Sequence, residues 1–102
     1  MVTKSIIKKQ IQQNASRIKA YGISSTGLFG SYASQKQVEG GDIDILIDFE
    51  VGKETFDNFM EVCFRLNTIF KGHKVELVTA NGLSPYVGPH ILNSVEYVQI
   101  AH

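Results

Sequence analysis

The stretch Leu28 to Phe49, LFGSYASQKQVEGGDIDILIDF, decides how this chain is read. In its second half Ile43, Ile45, Ile47 and Phe49 interleave with Asp42, Asp44, Leu46 and Asp48. That is the period of two produced by a strand with one apolar face. Asp42 and Asp44 therefore leave the strand on the same side. Two carboxylates held close on a rigid element repel each other unless a cation sits between them. A hard divalent ion such as magnesium suits the pair, because it takes oxygen ligands and needs only one or two protein carboxylates, leaving room for water and phosphate oxygens.

In the first half, Gly30 and Ser31 fall where a short apolar strand gives way to a polar segment compatible with a helix. Free backbone N–H groups at a helix start, with a serine hydroxyl beside them, bind an anion such as phosphate through directed hydrogen bonds and the helix dipole. A Gly-Ser turn ahead of a strand with two solvent-facing aspartates is the plain alternative for the same residues.

Gly30-Ser31, a spacer of ten residues, then Asp42-Ile43-Asp44 followed by apolar residues resembles the signature of the nucleotidyltransferase superfamily that includes DNA polymerase beta. The short chain is similar to the minimal nucleotidyltransferases, small domains often encoded beside a HEPN-type toxin. Either half of the signature alone is weak, whereas both at this spacing across strand, helix and strand are specific. The resemblance implies an α/β (α+β) domain, with a small mixed sheet flanked by helices. It also implies a third carboxylate from a later strand, where Glu76 in HKVELVT stands at the place usually held by aspartate. Two further departures concern the small hydroxyl residue common before the first aspartate, here Gly41, and an Arg-Gly pair common after the serine, here Ser34 and Gln35.

With 102 residues, 43% of them hydrophobic, one compact domain over residues 1–102 is expected, with a modest core. Ten basic and ten acidic side chains cancel, which disfavours nucleic acid as the main partner. One cysteine excludes an internal disulfide, and no apolar stretch approaches the roughly 20 residues needed to span a bilayer. The start MVTKSIIKKQ lacks the apolar core of a signal peptide, so a soluble cytoplasmic protein is expected.

Along the chain, Thr3 or Ser5 can cap a first helix whose apolar stripe is Ile6, Ile7, Ile11, Ala15 and Ile18, ending at Gly22. Its lysines and Arg17 read as a solvated outer face. Ile23 to Phe29 is the expected first strand, Ser31 to Val38 a short helix, and Gly40-Gly41 a turn into the second strand. A long helix follows with Phe56, Phe59, Met60, Cys63, Leu66 and Phe70 on one stripe, Cys63 being a packed thiol. The third strand runs from about His73 to Thr79, with Val75 and Leu77 on one side and Lys74, Glu76 and Val78 on the other. A loop through Pro85 and Pro89 leads to a last apolar run, His90 to Ile100, expected to close the fold as a helical turn or short helix. His73, His90 and His102 show no metal-ligand spacing.

The resemblance implies ATP or another nucleoside triphosphate with its phosphates on Gly30 and Ser31. It further implies two magnesium ions, or manganese, held by Asp42, Asp44 and Glu76, and transfer of a nucleoside monophosphate to an acceptor hydroxyl. It names a partner too: a HEPN-type protein, in a hetero-oligomer, for which this chain would be the antitoxin. The alternative is a catalytically weak or inactive module that neutralises or scaffolds its partner by contact alone. On either view Asp42, Asp44 and Glu76 are expected on one face of the sheet, and Ile43, Ile45, Ile47, Val75 and Leu77 against the helices.

Overall fold

The computed structural model describes residues 3–30 and 42–100. Helix α1 spans Lys4–Gln13 and α2 Ala15–Ala20; strand β1 is Ile23–Phe29 and β2 Ile43–Phe49. Helix α3 spans Phe56–Ile69 and strand β3 Val75–Thr79; after a 3-10 turn at Ala80–Gly82 come helix α4, Gly88–Ser94, and strand β4, Glu96–Val98. The sheet order is β3-β2-β1-β4. β2 runs parallel to β3 through the α3 crossover and antiparallel to β1, and β4 adds antiparallel to the other edge of β1. A small mixed sheet flanked by helices, as the sequence implies, is what forms. The expected helix Ser31 to Val38 and the Gly40-Gly41 turn lie outside the described residues.

One face of the sheet makes the core. Ile23 and Leu28 of β1, Ile43, Ile45 and Ile47 of β2 and Val98 of β4 are buried against Ile7, Ile11 and Ile18 from the first two helices and Val62 and Leu66 from α3, with Val75 and Leu77 packed at the border. Burying each such side chain stabilises the fold by about 1.5–3 kcal/mol. Because β2 alternates, this burial leaves Asp44 and Asp48 on the opposite face. Leu46 shares that face and yet is only 2% exposed. Its register partners are Gly27 and Val78, and Gly27 in turn lies under the side chains of Val95 and Tyr97.

Three expectations change. The first helix is capped by Thr3, whose hydroxyl accepts from the Ile6 N–H, but it breaks at Asn14. The Asn14 side-chain amide donates to the Gln10 carbonyl at 2.9 Å, competing with the backbone ladder. Ile6 points away from the core and is 44% exposed. On α3 the buried line is Val62, Leu66 and Phe70, with Phe59 and Ile69 half-buried, whereas Phe56 and Met60 are exposed. The apolar arc of this helix is wider than the sheet can cover. The run His90 to Ile100 is helical only at its start; from Glu96 it pairs with β1, satisfying backbone groups that an edge strand would leave open. Glu96 then accepts from Lys4 at 2.8 Å and Lys8 at 3.0 Å, tying the last strand to the first helix.

Candidate active site

β2 positions the acidic side chains, and the parallel pairing with β3 brings the third one to them. The register sets Phe29, Asp44 and Glu76 in one row across three strands. Ile43 N–H donates to the Lys74 carbonyl at 2.8 Å, which fixes the start of that pairing beside Asp42. Asp44 and Glu76 are direct register partners, so their side chains stand side by side and the Glu76 carboxyl lies within side-chain hydrogen-bonding reach of Asp44. Burial first, then that side-chain approach, then the charges of Glu76 and Asp42 push the Asp44 carboxyl from 3.8 to about 6, against a smaller opposing pull from Lys74. Lys74 Nζ stands 4.0 Å from Asp42 Oδ2, the lysine largely and the aspartate partly in water. At that exposure the ion pair is worth about 0–1 kcal/mol.

Gly30 has a structural role beside the phosphate turn read from the sequence. It follows β1 directly with φ +71°, and a Cβ there would collide with Asp44 Oδ2. Only glycine lets the chain turn this close to the carboxylate. The spacing of Gly30 and Asp44 in sequence gave no sign of that contact. Lys74 shares the side of the third strand with Glu76 as read from the sequence, but its place beside Asp42 follows only from the strand register. Ser31 lies outside the described residues, as do Gly41, Ser34 and Gln35.

The structure thus brings Asp44 and Glu76 into contact, with Asp42 near enough to act on Asp44 through its charge. Among the described residues no three His, Cys, Asp or Glu side chains form a ready group for a metal ion. The donor set still fits magnesium, which typically takes only one or two protein carboxylates. The raised Asp44 carboxyl, beside Glu76 and within the field of Asp42, marks where a cation would relieve the repulsion of these side chains. No helix among the described residues is long and apolar enough to cross a membrane.

The comparisons with known proteins bear on the family and the fold. A Methanocaldococcus jannaschii protein described as a candidate protein adenylyltransferase is 36% identical over 101 residues, covering 96% of this chain and all of that protein. Among solved structures, one described as a candidate minimal nucleotidyltransferase superposes with a TM-score of 0.79 at 23% identity, covering 93% of this chain and 95% of that one. A chain from the crystal structure of a toxin-antitoxin with AMP-PNP superposes with a TM-score of 0.69 at 22% identity, over 90% of this chain and 72% of that one. The profile of the polymerase beta nucleotidyltransferase family matches residues 6–99. On the match to its profile and the fold it shares, this chain belongs to the polymerase beta-like nucleotidyltransferases, in their minimal group.

Proposed function

We propose that this chain transfers AMP from ATP to a hydroxyl group of a protein partner of the HEPN type, as the antitoxin of a toxin-antitoxin pair. The observation that carries the reading is the Asp44–Glu76 carboxyl pair, with Asp42 beside it and Gly30 opened for its approach. Support comes from the relative described as an adenylyltransferase and from the toxin-antitoxin solved with an ATP analogue. The acceptor hydroxyl oxygen bonds to the α-phosphorus of ATP, the bond from that phosphorus to the bridging oxygen of pyrophosphate breaks, and the hydroxyl proton passes to a carboxylate. Glu76, exposed and paired with Asp44, is the base for that proton. Gly30 and Ser31 receive the phosphates. Asp42, Asp44 and Glu76 would hold magnesium, which when bound neutralises charge on the phosphate oxygens as the bond order shifts.

A second reading, a module that acts by contact alone, draws on the glutamate at position 76, on Gly41 and on the missing Arg-Gly pair at Ser34 and Gln35. Labelled ATP, magnesium and the partner separate the two. Wild type labels the partner, Asp44→Ala does not, and Glu76→Gln loses most of the rate because it keeps the size without the charge. If wild type and Glu76→Asp both fail to label a partner they still bind and neutralise, the contact-only reading replaces transfer.

A further inference from the structure

Helix α3 carries more apolar surface than the fold uses. Beside its buried line of Val62, Leu66 and Phe70 runs a second one, Phe56, Met60 and Phe64, exposed by 76%, 47% and 67%. The spacing of four aligns the three over two turns of helix. Single exposed apolar residues are ordinary, but an aligned set marks a contact surface. One flank of this line carries Asp57 and Glu61, both exposed and neither ion-paired among the described residues, and ends at the half-buried Arg65. Glu54 continues the acidic rim, its Oε1 accepting from Asn81 at 2.8 Å.

We infer that this face of α3 is the docking surface for a basic amphipathic helix of a different protein chain. The acidic flank selects the occupant. A second copy docked antiparallel about a two-fold axis would offer Asp57 and Glu61 only their own carboxylates and Arg65, which is half-buried with its Nε covered, so acidic side chains stay in excess. An anionic membrane surface is repelled by the same rim. A helix with its own apolar line flanked by lysine or arginine satisfies both the stripe and the rim. The site also lies where a protein acceptor is needed. α3 packs on β3, the edge strand that holds Glu76, so a chain bound to α3 needs only to reach round that edge to present a hydroxyl to the carboxyl pair. That placement rests on the proposed transfer reaction; the surface chemistry does not.

Two synthetic helical peptides of about 18 residues, each spanning about 27 Å, test the surface without nucleotide. They share one leucine stripe and differ in carrying lysine or glutamate at its flanks. Titrated into the 15N-labelled chain, the lysine peptide shifts the amides of residues 56–64 and binds at least about tenfold tighter than the glutamate peptide. Phe56→Gln with Phe64→Gln weakens the lysine peptide by about tenfold, and Asp57→Lys with Glu61→Lys inverts the preference; all four side chains are exposed, so the amide spectrum stays folded. Shifts centred elsewhere, or a preference that charge reversal leaves unmoved, overturn the inference. So does a dimer of this chain that the phenylalanine changes dissolve, since the occupant is then a second copy. Peptide binding that survives while partner labelling fails sinks the transfer reaction and leaves the surface standing.

Discussion

Asp44 is the residue on which the site turns, and its environment sets a pH dependence with a definite sign. The folded carboxyl titrates at about 6 against 3.8 for an ordinary aspartate, so the fold binds this proton more tightly than the unfolded chain does. Without a cation, stability is therefore highest below about pH 4 on this account and falls as the pH rises towards 6. Asp44→Asn removes that fall, and metal-free melting curves between pH 4 and 7.5 should show the mutant flatter than wild type. At Gly30, Ala substitution imposes a left-handed conformation that costs a residue with a side chain roughly 1–2 kcal/mol and drives a methyl into the Asp44 carboxylate. Thr26 is wholly buried, and its hydroxyl has no partner among the described residues. Thr26→Val should thus be neutral or stabilising by thermal melt, because it removes an unmet polar group at nearly constant shape. The aspartate pair was legible in the sequence because alternation is a local property. The nearness of Glu76 to that pair was expected only through the family resemblance, since the register of two parallel strands 30 or so residues apart is fixed by the crossover helix and the core, with no trace at either position.

At the scale of elements, β2 is the piece the sequence specifies best and the piece the core depends on most. Ile45 lies at the centre of the sheet, fully buried between Leu28 and Leu77 in register. Ile45→Ala should cost about 2–5 kcal/mol in denaturant unfolding, whereas Ile6→Ala, on the exposed side of α1, should cost far less. The elements that escaped reading did so for separate reasons. Asn14 breaks the first helix through a side-chain bond that no periodicity reveals. β4 is three residues long and inherits its pairing from the open edge of β1, so its own sequence reads as an extension of the helix before it. On α3 the stripe read from the sequence took in Phe56 and Met60, which are exposed, and left out Val62, which is fully buried, because burial depends on how much of the helix the sheet can reach.

For the whole molecule, the proposed transfer requires another chain to supply the acceptor hydroxyl. Magnesium should stabilise the fold by relieving carboxylate repulsion, by about 2.7 kcal/mol at a hundredfold excess over its dissociation constant. Asp42→Asn with Asp44→Asn should abolish that gain in a thermal melt, and a shift that persists in the double mutant would put the ion elsewhere. The central claim, transfer of AMP through the Asp44 and Glu76 carboxyls to a protein hydroxyl, is tested most directly by the intact mass of the HEPN-type partner after coexpression with this chain. Coexpression with wild type should add the mass of AMP to the partner, and coexpression with Asp44→Ala should leave it unmodified while this chain remains folded. A partner neutralised by wild type with its mass unchanged, or one still modified in the presence of Asp44→Ala, would contradict the account.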